Sequence, residues 1–288
     1  MHHFFSPVMN LASSVLQDSF REFLTKFSVE QQHFIYLNFN ASKEICCSTK
    51  TFILSGPFPH MKKEPVVLSV GGSLIIPEKI DIPFLHKLKN TLLKNKTHKF
   101  VLVTGGGVIA RKYITALKAE NKPTKELAEA GIRATRMNAH FLMQLFGSKA
   151  NQSLPTDMKQ VRSALRKNQI VICGALRFTP NATSDTTAAK LAHLLKSDFI
   201  NMTNVKGLFT ANPKTNPKAK FIPEITWKDF DKLANKTKHQ AGQHFVLDQS
   251  AATLIKNNET TTYIINQSLT NLSNLLNGKR FIGTTIQD

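Results

Sequence analysis

Cysteine is scarce: three in 288 residues, two of them the adjacent Cys46 and Cys47. Such a set supports neither a disulfide framework nor a zinc site, so stability is expected from an apolar core in a reducing, cytoplasmic setting. No apolar run reaches the roughly 20 residues that cross a bilayer as a helix, so no membrane span is expected. Acids are also few, 19 against 38 Lys and Arg, for a net charge of +19. Yet there is no arginine-rich arm, no Cys/His finger and no aromatic RNA-binding motif. The positive charge is therefore assigned to solvated helix faces, with nucleic acid not an expected partner. Such a surface still attracts phosphates of any size. A G-x-x-x-x-G-K-[ST] loop is absent, which excludes P-loop chemistry.

What is present falls into two unequal parts. Residues 1–60 carry four basic and four acidic residues and 9 of the 20 phenylalanines, so the whole net charge lies downstream. "MHHFF" has no Lys or Arg ahead of an apolar stretch and does not read as a signal peptide. "ASSVLQDSFREFLTKF" has the spacing of an amphipathic helix. Then "HMKKEPVVLSVGGS" opens with Met61 and runs into a strong strand, as many α/β enzymes begin. The expectation is an N-terminal extension over 1–60, poorly ordered or arising from a misplaced start, and one catalytic domain over 61–288.

From residue 65 the pattern is regular. Continuous apolar runs at 66–70, 100–104, 170–173, 199–203 and 262–265 alternate with helical spacing at 82–95, 108–120, 125–147, 157–167, 184–196 and 249–257. Alternation of this kind predicts a mostly parallel sheet in a three-layer α/β/α sandwich. Strands without polar alternation fit burial on both faces.

Two strands run into glycine: "VVLSVGGSLIIP" at Gly71-Gly72-Ser73 and "KFVLVTGGGVIARKY" at Gly105-Gly106-Gly107. Glycine admits close approach of backbone to a ligand, and free N–H groups at a following helix favour an anion. Tight turns in a packed sheet would also explain either motif alone. "GGGVIA" matches the loose dinucleotide fingerprint, but no second strand ending in an acid follows about 20 residues later, as that fingerprint needs. A third junction, "CGALRFTPNATSDTTAAKLAHLL", places Thr183, Ser184 and Asp185 at a helix start. Capping explains them, and so does a phosphate or Mg²⁺ site.

Taken in order and spacing, "LSVGGSLIIP", "VTGGGVIARKY", "GIRATRMNA", "TSDTTAAKLA", "TNVKGLFTANPKTNPKAKFI" and "FVLDQSAATLIK" resemble the amino acid kinase superfamily, and within it the archaeal-type UMP kinases. The resemblance covers about 64–288. It implies phosphoryl transfer from ATP, with Mg²⁺, to UMP, in a homo-oligomer, commonly a hexamer. On the same ground Gly72, Ser73, Gly107 and Arg111 would lie on the ATP phosphates, with Thr203, Lys206, Phe209 and Asn212 bordering the ATP nucleotide. Gly106, Thr179, Pro180, Asn181, Thr183 and Ser184 would face UMP. Asp185 and Arg111 would be the catalytic pair, with no metal-ligating residue assigned.

The chain also departs from that family. Ala128 stands where an acid usually holds the ribose, with Glu126 and Glu129 as substitutes. Ser69 replaces a frequent lysine, and Ala182 a usual polar residue. Lys206 and Asn212 replace acids, and Phe209 a tyrosine, all in one ATP-side loop. These departures keep open an alternative: a protein of this fold with lost or altered acceptor specificity, regulating a partner or phosphorylating another small acid.

Overall fold

The computed structural model describes residues 65–178, 183–213, 215–236 and 246–288. The expected extension over 1–60 lies outside the described residues, as do Thr179, Pro180, Asn181 and Ala182.

The first parallel strands are β1 (Val66–Val70), β2 (Phe100–Thr104), β3 (Ile170–Cys173) and β4 (Asp198–Thr203). The short β5 (Leu208–Phe209) and β6 (Phe221–Ile222) form a separate antiparallel pair, and β7 (Glu224–Ile225), β8 (Thr262–Asn266) and β9 (Gly283–Ile286) complete the main sheet. Its order is β3-β2-β1-β4-β8-β9-β7. Only the β8–β9 pair is antiparallel within it. The chain winds outward from β1 in both directions, so β1 and β4 flank the point where strand order reverses. Clefts beyond the strand ends at such a point are where α/β sheets bind ligands.

Helices cover both faces. On one face lie α1 (Gly72–Ile75), α2 (Ile82–Lys94) and α4 (Thr124–Phe146), with α3 (Gly107–Ala119) alongside α4. Leu85, Leu88, Leu92, Leu142 and Phe146 there pack on the outward side chains of Val66, Leu68 and Val70. The other face is covered by α5 (Met158–Lys167), α6 (Ser184–Leu195), α7 (Trp227–Lys236) and α8 (Gln249–Asn257). There Val161, Leu191, Phe230 and Ile255 meet Val67, Val101 and Phe199. Finally α9 (Leu269–Leu276) returns to the first face through Leu272 and Leu275. Strands buried residue for residue on two sides explain the unbroken apolar runs of the sequence.

The expected strands and helices appear within a residue or two of their sequence bounds. Seven elements go beyond them: α1, α7, α9, β5, β6, β7 and the antiparallel β9. An ion pair ties α7 to α8. The Lys256 ammonium of α8 lies 2.6 Å from the Asp231 carboxylate of α7, which also accepts from the Thr253 hydroxyl at 3.0 Å. Asp231 is desolvated by burial, but these donors outweigh that cost and hold its carboxyl below the usual range.

Candidate active site

The two glycine turns are one structure. β1 and β2 pair so that Val70 lies opposite Thr104, which brings the residues after them side by side. A Cβ on Gly72 would stand 2.2 Å from the Gly107 nitrogen and 2.8 Å from the Gly105 carbonyl oxygen. Neither partner is a side chain that could swing away. Gly107 also has φ +61°, a left-handed backbone that only glycine adopts at no cost. Three glycines are therefore fixed by backbone meeting backbone, and the loop N–H groups stay at the strand-end edge where α3 begins.

Helix α4 braces these turns from behind. The Asn138 amide donates to the Gly105 carbonyl at 2.7 Å. Thr104 donates its hydroxyl to the Thr135 carbonyl at 2.8 Å, and Thr135 Oγ1 accepts from the Ala175 N–H at 2.9 Å. Arg136 donates to the carbonyls of Ala175 and Leu176 in the loop after β3. The motif "ATRMNA" thus ties the ends of β2 and β3 together through side chains buried or nearly so.

The third junction closes on β1 from the other face. Thr183 caps α6, its Oγ1 accepting from the N–H groups of Asp185 and Thr186. Asp185, in the first turn of α6, accepts a 2.8 Å hydrogen bond from the Ser69 hydroxyl of β1. Asp248 caps α8 by accepting from the Ala251 N–H at 2.9 Å, and its carboxylate also takes the hydroxyls of Thr183 and Thr186. Burial pushes the Asp185 carboxyl up to about 7; the Ser69 bond opposes the rise and the Asp248 charge adds to it.

Beyond β4, the Gly71 N–H reaches the Met202 carbonyl at 3.4 Å, which sets Thr203 beside the first glycine turn. The chain then turns at Gly207 (φ +156°), where a Cβ would strike the Thr284 hydroxyl at 2.7 Å. Thr284 accepts from the Leu208 N–H at 2.8 Å and so anchors the loop to β9. Phe209 packs edge-on against Phe221, centroids 5.5 Å apart, while Lys206 is exposed. The Asn212 carbonyl holds the following turn by accepting from the Asn216 N–H.

Among the described expected residues, Gly72, Ser73, Gly106, Gly107, Thr183, Ser184, Asp185 and Thr203 all sit at the strand-end edge of β1 to β4. Gly72 meets Gly107 directly, and Asp185 reaches β1 through Ser69. Arg111 is exposed on the second turn of α3, with no ion pair among the described residues. Lys206 and Asn212 occupy the outer loop after β4. Of the two ribose substitutes, Glu129 forms an exposed 3.4 Å pair with Arg133. Sequence reasoning missed Asp248 and the bracing roles of Thr135, Arg136 and Asn138. For Asp248 a signal existed: an Asp directly before the apolar helix "QSAATLI" is a capping signature.

Among the described residues no group of three or more His, Cys, Asp or Glu is arranged to hold a metal. Asp185 and Asp248 are the carboxylates at this edge, donors of the kind that touch Mg²⁺ carried on nucleotide phosphates.

The comparisons with known proteins agree with this geometry. A family model described as the amino acid kinase family matches residues 64–266. The uridylate kinase of Thermococcus kodakarensis is 34% identical over 227 residues, covering 77% of this chain and 99% of the relative. That of Pyrococcus abyssi is 32% identical over 225 residues with the same coverage. The crystal structure of uridylate kinase from Archaeoglobus fulgidus superposes with a TM-score of 0.67 at 29% identity, covering 77% of this chain and 99% of that one.

Proposed function

Since the chain belongs to the amino acid kinase family, we propose that it is a UMP kinase, which transfers the γ-phosphoryl group of ATP to UMP and releases UDP and ADP. A phosphate oxygen of UMP attacks the γ-phosphorus, and the bond from that phosphorus to the β–γ bridging oxygen breaks, leaving with ADP. Because the nucleophile is already an anion, no general base is required. Positioning and charge neutralisation supply the catalysis.

The observation that carries this reading is the interlock of Gly72 with Gly105 and Gly107, beside the point where strand order reverses. Two backbone-lined turns with N–H groups at one edge are suited to a chain of phosphates. The acceptor is argued from the similarity to uridylate kinases along nearly their whole length. In this reading Gly72, Ser73, Gly107 and Arg111 attend the ATP phosphates. Thr203, Lys206, Phe209 and Asn212 border the rest of ATP. Gly106, Thr183 and Ser184 face UMP together with Thr179, Pro180 and Asn181. Asp185 is held by Ser69 between the two sides, and Asp248 fixes the helix start that carries it. Mg²⁺ bound to ATP would neutralise charge on the transferring group, with Asp185 and Asp248 the carboxylates available to it at this edge.

We infer further that the enzyme works in the cytoplasm as a homo-oligomer, a hexamer in the form its resemblance implies. Tyr113 of α3 and Met137 of α4 are exposed by 57% and 64%, as residues awaiting a second copy would be. No helix among the described residues is long and apolar enough to cross a membrane.

The test is ADP release with MgATP and a panel of UMP, CMP, dUMP and small non-nucleotide acids. UMP is expected to give the highest kcat/KM. No turnover with UMP, or equal turnover with a non-nucleotide acid, overturns the reading.

A further inference from the structure

The edge where the strands begin has a chemistry of its own. Lys99 and Gln169 immediately precede β2 and β3, Pro65 precedes β1, and Lys196 ends α6 just ahead of β4. Strands of five residues set this edge roughly 15 Å from the glycine turns. A concavity of about 580 Å³ there is lined by Lys96, Lys99, Lys149, Arg166 and Lys167 together with His98 and neighbouring stems. A second, of about 560 Å³, adjoins it and shares Lys99 and Arg166, adding Arg162 and Lys196. Among the described residues, no carboxylate lines either one.

Unneutralised charge in a concavity is unusual for a structural surface, because like charges repel unless acids are interspersed. The ion pairs among the described residues lie elsewhere and use none of these cations. Helix α5 supplies Arg162, Arg166 and Lys167 to one rim; its acid, the capping Asp157, is instead paired with Arg177 at 3.3 Å. Lys99 turns its ammonium to the Leu165 carbonyl at 3.2 Å, which holds it along the floor common to both lobes.

Against the expectation from composition, we propose that this trough binds the phosphate backbone of a nucleic acid strand, without reading its bases. Its continuity over the starts of β3, β2, β1 and β4, three strand spacings or about 14 Å, suits a cord of phosphates. A planar lipid surface would meet only its rims. The lining has no Phe, Tyr or Trp on which a base could stack, so affinity must come from charge and counterion release. The trough lies apart from the proposed kinase site and does not rest on that reading.

The experiment uses the full chain and an end-labelled 20-nucleotide oligodeoxythymidylate, followed by fluorescence anisotropy over a salt series with ATP and UMP saturating. Binding is expected to weaken linearly in log Kd against log salt. Arg162→Glu, Arg166→Glu and Lys167→Glu combined are expected to cut affinity by more than roughly tenfold. If each contacts one phosphate, the magnitude of the slope falls by about 2, at about 0.7 per phosphate on a single strand. UMP turnover, measured in parallel, is expected to be unchanged and reports that the variant folds. Lys96→Glu with Lys196→Glu, from the two outer ends, provides an independent second variant with the same expected direction. Lys228→Glu, Lys279→Glu and Arg280→Glu combined, an equal charge change elsewhere, should leave affinity near wild type. The proposal is overturned by equal loss in that control, by affinity indifferent to salt, by no binding, or by binding to phosphatidylserine vesicles in place of the oligonucleotide.

Discussion

Ser69 and Asp185 are 116 residues apart in sequence, and the serine hydroxyl donates to the carboxylate at 2.8 Å. The bond joins the strand that ends in the first glycine turn to the helix start on the opposite face. It also opposes the burial that raises the Asp185 carboxyl to about 7.

A pH signature follows from that bond. With its ionised form required, Asp185 gives kcat/KM a rising limb near pH 7. Ser69→Ala removes a contact that lowers this value, so the limb should move to higher pH. Asp185→Asn should abolish the limb and lower turnover. Stability has the opposite trend. The folded value lies above the ordinary 3.8, so between about pH 4 and pH 7 the folded state holds a proton that the unfolded state lacks, and stability falls as pH rises. Asp185→Asn should flatten that slope in thermal melts. A limb unmoved in Ser69→Ala would sink the assignment.

Arg111 has no carboxylate partner among the described residues, so its charge is available to a ligand. Arg111→Ala is expected to reduce turnover at least roughly tenfold, about 1.4 kcal/mol of transition-state stabilisation. Circular dichroism and melting temperature should stay at wild-type values. Unimpaired turnover would remove Arg111 from the phosphate site.

Gly72→Ala puts a methyl group 2.2 Å from a backbone nitrogen, and the cost is expected to reach about 3 kcal/mol or more. For a domain of this size that is a drop of roughly 6–12 °C in Tm. Gly147→Ala is the contrast: its φ is +60° but nothing lies within 4 Å, so only conformational strain is added. A loss of about 1–3 kcal/mol with activity intact is expected there. Equal Tm losses in the two variants would argue against the interlock.

Lys206 is exposed in the loop after β4, where relatives are expected to carry an acid. If it meets ATP phosphates, Lys206→Ala should raise the KM for ATP roughly fivefold, the equivalent of about 1 kcal/mol, and leave the KM for UMP unchanged. Lys206→Asp with Asn212→Asp should weaken ATP further. A gain of activity in that double variant would show the lysine to be dispensable.

A chain beginning at Met61 should keep the melting temperature and UMP turnover of the full chain. The family match begins at residue 64, and the uridylate kinases align over 77% of this chain but 99% of their own length. Loss of either property on truncation would mean that residues 1–60 contribute to the kinase.

The parallel core was legible because burial on both faces leaves unbroken apolar runs, as at 66–70 and 100–104, whose length and flanking glycines mark the strand ends. β9 was not. It is four residues, "GTTI", whose two threonines are buried by the Leu208 loop and β7, and nothing local in those four announces an antiparallel partner. α7 was legible but passed over: Trp227, Phe230, Leu233 and Ala234 recur at helical spacing on its core-facing side. Within the site, the glycines and Asp185 were visible from their strand-end positions. The capping role of Asp248 was legible from its place before α8, but its bonds to Thr183 and Thr186, more than 60 residues earlier, were not, because only the folded sheet brings them together.

The contact of Gly72 with Gly105 and Gly107 also acts as a gauge on assembly. β1 and β2 could in principle pair one residue out of step, and apolar strands buried on both faces discriminate weakly against that error. A slip of one residue moves one strand by about 3.3 Å along the other. With main chain already within van der Waals reach at the strand ends, such a slip forces one turn through the other or pulls them apart. Only one alignment lets both turns close, so the arrangement suited to phosphates is also the one that certifies the sheet as correctly threaded.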